Sequence, residues 1–142
     1  VGSEMCIRDR CDVPWAFNRK EIKDHGEGGM IVGAPLKGRV VIIDDVISAG
    51  TSVRESVKII EANNASPSGV LIAVDRMERG GTADAPTATS AVQDVEKTFG
   101  LSVVSIINLH DLLAFMDGPS EKAKTVAQYR DAVAAYRARY GA

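Results

Sequence analysis

The sequence predicts an α/β fold, a mostly parallel sheet flanked by helices, and three observations carry that expectation. Two short runs, Val40-Val41-Ile42-Ile43 and Val70-Leu71-Ile72-Ala73-Val74, are wholly apolar and rich in β-branched residues, as strands buried on both faces are. Each ends in acid, at Asp44-Asp45 and at Asp75, and each is followed by a change of pattern. Strands alternating with helical stretches imply parallel pairing through right-handed crossovers.

The elements follow in order. Residues 13–18 read as a short strand, with Pro14 near its start, where a missing N–H is tolerated. Residues 19–35 hold Gly26, Gly28, Gly29 and Gly33 with dense charge and no sustained period, which predicts a mobile loop. Lys37-Gly38 turns the chain into a strand over 39–44. A helix over 51–63 is predicted by Val53, Val57 and Ile60 on one face, with Thr51 in the N-cap region and Asn63-Asn64 at the end. After the strand at 70–74, residues 77–89 are rich in Gly, Ala and Thr and predict a connector with little fixed structure. A helix over 90–98 leads through Gly100 to a strand at 102–107. Asn108 or His110-Asp111 begins a short helix to Met116, with His110-Asp111 as a capping arrangement, and Gly118-Pro119 breaks the chain. The last helix, about 120–140, carries Val126, Tyr129, Val133, Tyr136 and Tyr140 at spacings of three and four, which predicts a packing face. Trp15 and Phe17 are expected in the core.

Composition narrows the function classes. The chain has 142 residues, enough for one domain with a real core. Its hydrophobic content of 45% and charged content of 25% are those of a globular protein. A net charge of −2 argues against a general nucleic-acid binder, whose affinity would rest on many lysines and arginines. No apolar run approaches the roughly 20 residues that span a bilayer. Two cysteines, Cys6 and Cys11, match no metal or redox spacing, and a reducing, cytoplasmic setting is expected. The first ten residues, VGSEMCIRDR, lack the features of a signal peptide and read like translated adapter sequence, a non-native leader.

The chemistry concentrates in Asp44-Asp45-Val46-Ile47-Ser48-Ala49-Gly50-Thr51-Ser52, where the strand over 39–44 gives way to a helix. In an open α/β sheet, ligands bind beyond the carboxyl ends of strands, at helix N-termini. Backbone N–H groups and small hydroxyls there make a cradle for a phosphate. The acid pair cannot bind that phosphate. It must serve something electron-poor, such as sugar hydroxyls or a hydrated cation. A P-loop would need Gly-Lys-Ser/Thr after a longer glycine-rich span, and the dinucleotide fingerprint G-x-G-x-x-G is also absent. A phosphorylated ribose suits the arrangement: the turn takes the 5′-phosphate and a carboxylate accepts hydrogen bonds from the 2′- and 3′-hydroxyls.

A second segment, Asn18-Arg19-Lys20-Glu21-Ile22-Lys23-Asp24-His25-Gly26-Glu27-Gly28-Gly29, sets cationic groups among glycines. Cations aimed at a leaving group that gathers negative charge stabilise its transition state. Glycines would let such a loop close and exclude water. A third segment, Val74-Asp75-Arg76-Met77-Glu78-Arg79-Gly80, puts a guanidinium at a strand end, suited to a carboxylate ligand or to a surface bridge with Glu78.

The string VVIIDDVISAGTS resembles the phosphoribosyl-diphosphate-binding signature of type I phosphoribosyltransferases. The second and third segments resemble the catalytic loop and a strand end of the orotate-specific members of that family. The resemblance runs from about residue 11 to the C-terminus and implies a type I phosphoribosyltransferase domain over 11–142. This would be the C-terminal two-thirds of such an enzyme, with the N-terminal part missing and the chain inactive on its own. The implied reaction transfers ribose 5-phosphate from 5-phospho-α-D-ribose 1-diphosphate to orotate, giving orotidine 5′-phosphate and diphosphate in pyrimidine biosynthesis. The resemblance implies Lys23, His25, Asp44 and Asp45 as catalytic. It implies Arg19, Lys20, Lys23, His25 and residues 44–52 as contacts to phosphoribosyl diphosphate, and Ser48 and Arg76 as contacts to orotate. Ser48 stands where threonine is expected and keeps the hydroxyl. Magnesium is expected on substrate oxygens and water, with no direct protein ligand, together with a homodimer sharing its loops across the interface. The rivals are a purine-specific phosphoribosyltransferase and a non-catalytic sensor of phosphoribosyl diphosphate, which would lack the cationic loop.

Overall fold

A computed structural model describes residues 13–23, 29–82 and 85–142. The chain divides into two compact units, residues 1–37 and 38–142. The expected leader at 1–10 lies outside the described residues.

In the first unit, β1 (Ala16–Lys23) pairs antiparallel with β2 (Gly29–Gly33), in the register Phe17↔Val32 and Lys23↔Gly29. The strand expected at 13–18 therefore starts later and runs further, and most of the expected loop over 19–35 is a two-stranded ribbon. Backbone pairing defines a ribbon whatever its side-chain pattern, so the charged run Arg19–Lys23 could pair without showing strand alternation. Trp15 and Phe17 are not core residues: they are 49% and 50% exposed and stack on each other with ring centroids 6.0 Å apart.

The second unit is built on a parallel sheet of order β3 (Arg39–Asp44), β4 (Ser66–Asp75), β7 (Val103–Asn108). Between β3 and β4 runs α1 (Thr51–Ala62), which buries Val53, Val57 and Ile60. Between β4 and β7 lie a hairpin, β5 (Arg79–Thr82) with β6 (Ala85–Ser90), and α2 (Ala91–Phe99), which buries Ala91 and Val95. These helices meet over one face of the sheet, where Ile42, Val70 and Ile72 are buried. Arg54 of α1 lies over the Phe99 ring of α2. Strand periodicity turns Val41, Ile43, Leu71, Val104 and Ile106 to the opposite face, and all five are exposed.

Helix boundaries follow local chemistry. Asn63 and Asn64 end α1, with Asn64 in the left-handed region that asparagine tolerates. Ser90 and Gln93 form a capping box at α2. Asn108 and Asp111 form another at α3 (Leu109–Met116), so Asp111 is a capping residue as expected, while His110 contributes its backbone N–H.

Two further expectations are corrected. The connector over 77–89 contains the β5–β6 hairpin. Threonines strap it to α2: both Thr87 and Thr89 donate to the Asp94 carboxylate. The single helix over 120–140 is α4 (Glu121–Val126), a 3₁₀ turn (Ala127–Tyr129) and α5 (Arg130–Tyr140). Arg130 reaches back to Asp117 through two hydrogen bonds of 2.6 and 3.1 Å, which fixes the chain where the helix breaks. The expected packing stripe is half formed, since Tyr129 and Tyr140 are exposed.

Candidate active site

Parallel pairing aligns strand ends of the same kind, so the residues that follow β3, β4 and β7 gather along one edge of the sheet. The backbone carbonyl of Asp45 accepts hydrogen bonds from the N–H groups of Ala73 and Val74, at 3.0 and 3.1 Å. The turn after β3 is thereby stitched to the end of β4, just ahead of Asp75 and Arg76.

The acid pair is organised by its own backbone. Asp45 N–H donates to Asp44 Oδ1 at 2.9 Å, and Val46 N–H donates to Asp45 Oδ1 at 2.7 Å. The Ser52 hydroxyl donates to Asp44 Oδ2 at 2.6 Å, joining the end of β3 to the start of α1. Ile47 plugs the turn into the core at 4% exposure, so its contribution to any ligand is through the backbone. Ser48, Ala49, Thr51 and Ser52 are exposed.

Gly50 is the N-cap of α1, with φ 69° and ψ 13°. A Cβ there would be strained in the left-handed region and would stand 2.9 Å from Val95 Cγ2. No side chain caps this helix end. Its first amides, with the positive end of the helix dipole, therefore face an open turn where an oxyanion fits.

The segment after β4 is held in an unusual conformation. Met77 has φ 54°, and its N–H donates to Asp75 Oδ1 at 2.8 Å. Arg76 Nη2 pairs with Glu78 Oε2 at 3.1 Å, the bridge the sequence offered as one alternative. Arg76 Nε is buried without a hydrogen-bond partner. Glu78 in turn accepts a hydrogen bond from the Tyr136 hydroxyl of α5. Ser48, Glu78, Arg79, Tyr136, Arg139 and Tyr140 line one cleft, which continues along Gly80, Gly81 and Pro86. In the sequence Glu78 stands only as a bridge partner for Arg76 and Tyr136 only on a packing stripe, and neither was expected as a site residue.

The site residues expected on the cationic segment are described separately. Arg19 is half-buried on β1, and the backbones of Lys20 and Lys23 lie in the same strand. His25 lies outside the described residues. Among the described residues, no group of three or more His, Cys, Asp or Glu could hold a metal ion, and no helix is long and apolar enough to cross a membrane.

A strand ending in two acids, an uncapped helix start and a half-buried arginine at the neighbouring strand end can together hold a phosphorylated sugar beside an anionic base. Known proteins carry similar sequences. The chain is 65% identical over 130 residues to an orotate phosphoribosyltransferase of Herminiimonas arsenicoxydans, covering 92% of this chain and 58% of the relative. It is 64% identical over 130 residues to the Bordetella petrii enzyme of that name, covering 92% of this chain and 56% of the relative. Over the stretch it spans, the chain is similar in sequence to orotate phosphoribosyltransferases. A crystal structure of orotate phosphoribosyltransferase from Francisella tularensis superposes with a TM-score of 0.70 at 27% identity, covering 99% of this chain and 62% of the other. The parallel sheet with its helices is accordingly the type I phosphoribosyltransferase fold. No family model matches the sequence. The chain spans a little over half the length of the curated orotate phosphoribosyltransferases it matches.

Proposed function

We propose that the protein carrying this chain transfers ribose 5-phosphate from 5-phospho-α-D-ribose 1-diphosphate to orotate, forming orotidine 5′-phosphate and diphosphate. The observation that carries the reading is the Ser52–Asp44 hydrogen bond at 2.6 Å, which makes the acid pair and the uncapped helix start one unit. Identity of 59–65% to proteins named orotate phosphoribosyltransferase supports the choice of base.

In this reading the Gly50–Ser52 amides and the Thr51 hydroxyl hold the 5′-phosphate, residues 46–49 shape the turn, and the Ser52 hydroxyl orients Asp44. Asp44 and Asp45 accept the ribose hydroxyls and steady positive charge on the sugar as the bond to diphosphate lengthens. Orotate N1 forms the new bond to the anomeric carbon, losing its proton. The departing diphosphate oxygen takes the electron pair of the broken bond. Ser48 and Arg76 meet orotate, and the Arg76 Nε–H is suited to its carboxylate. Arg19, Lys20, Lys23 and His25 stabilise the charge that accumulates on diphosphate.

Magnesium fits this donor set as an ion that arrives with substrate. Both carboxylates already accept backbone N–H groups, which leaves them suited to water-mediated contact. Bound there, magnesium neutralises diphosphate charge. The reading includes a homodimer in the cytoplasm, with the cationic segment of one subunit serving the site of the other.

The decisive assay follows orotate absorbance. Its loss should require both phosphoribosyl diphosphate and magnesium, and a panel of bases should single out orotate. Turnover of a purine instead, or none with the protein brought to its relatives' full length, contradicts the proposal. Lys23→Ala should lower kcat at least tenfold with little change in substrate binding. An equal loss in both counts against its role at the leaving group.

A further inference from the structure

We infer that Glu78, held by Tyr136, is a positioning residue that fixes the Arg76 guanidinium for recognition of a carboxylated base. The inference rests on the reading of Arg76 as an orotate contact and extends it to Glu78 and Tyr136.

An arginine at a strand end has several rotamers, and reading a planar carboxylate requires one of them. Glu78 supplies the constraint: its Oε2 forms an ion pair with Nη2 at 3.1 Å, and its side chain is only 16% exposed. That leaves Nε–H buried and unpartnered, a donor that stays unsatisfied until an acceptor reaches it. An anionic ligand supplies such an acceptor.

Glu78 is itself fixed from three sides. Its second carboxylate oxygen accepts from the Tyr136 hydroxyl. Its backbone carbonyl accepts the Ala91 N–H at 2.9 Å, at the start of α2. Its backbone also bridges to Gly141, and Ala142 N–H donates to the Met77 carbonyl at 3.0 Å. The C-terminal helix thus braces the strand end that carries Arg76. Glu78 and Tyr136 line the cleft that Ser48 also lines, so brace and expected base contact share one space.

Removing the Glu78 charge would relieve repulsion toward an anionic base as well as free Arg76, and the two effects oppose each other. The clean variants preserve charge: Tyr136→Phe removes the brace, and Glu78→Asp shortens it. In each, calorimetric affinity for orotate should fall roughly fivefold to tenfold, while affinity for phosphoribosyl diphosphate stays unchanged. A second readout needs no ligand. In the ¹⁵N-arginine spectrum, the Arg76 Nε–H signal, assigned by its absence in Arg76→Lys, should show restricted rotation that both variants release. An unchanged Nε–H signal and unchanged orotate affinity in both variants overturn the inference. If Arg76→Lys leaves orotate affinity intact, the assignment of Arg76 to orotate fails instead, and the nitrogen signal then judges the brace alone.

Discussion

Gly50 and Ser52 show how much of the site rests on single positions. Gly50 has φ 69° and packs against Val95, so Gly50→Ala brings both backbone strain and a close contact. We expect a loss of about 1–3 kcal/mol in stability, measured by urea denaturation. Ser52 has no comparable structural duty beyond its hydrogen bond to Asp44. Ser52→Ala should leave the denaturation midpoint nearly unchanged and weaken ribose 5-phosphate binding several-fold. Equal affinity in the variant would separate Ser52 from the ligand site. These residues were legible in the sequence because acids, small hydroxyls and the glycine lie within nine consecutive positions. Glu78 and Tyr136 were not, because their hydrogen bond spans 58 residues and depends on where α5 returns. Pattern reading finds sites made by one turn of chain and misses those assembled by folding.

At the level of elements, the same contrast separates the parallel sheet from the two hairpins. β3 and β4 announced themselves through apolar runs because the sheet's helix-covered face excludes water. The β1–β2 ribbon is defined by its backbone pairing, and the β5–β6 hairpin by backbone pairing with side-chain straps. Asp94 is the strap of the second hairpin. Hydrogen bonds from Thr89 and then Thr87 lower its pKa below the ordinary 3.8, outweighing the upward push of desolvation. Because the folded form prefers the ionised carboxylate, its contribution is present above about pH 3.8 and is lost as pH falls through the lower folded value. Asp94→Asn should therefore flatten the acid limb of stability below about pH 3.8. Circular dichroism melts across that range check it. A variant that keeps the wild-type acid slope rules Asp94 out as its source.

Across the whole molecule, the notable feature is a sheet covered on one side. Parallel sheets are ordinarily packed on both faces, yet Ile43 is 65% and Ile106 is 74% exposed, beside Val41, Leu71 and Val104. At micromolar concentration the chain should self-associate and bind a hydrophobic dye. Ile43→Thr with Ile106→Thr should reduce both, read by sedimentation and dye fluorescence. A monodisperse monomer that binds no dye contradicts this account of the open face.

The central claim is that the turn after β3 seats a sugar phosphate, with the acid pair on the ribose. Titrating ¹⁵N-labelled chain with ribose 5-phosphate tests it directly, since each amide of the turn reports separately. The account predicts saturable shifts led by Gly50, Thr51 and Ser52, with Asp45 and Val46 following, and their loss when Gly50 is replaced by alanine. Shifts that map elsewhere on the chain while these amides stay silent would contradict it.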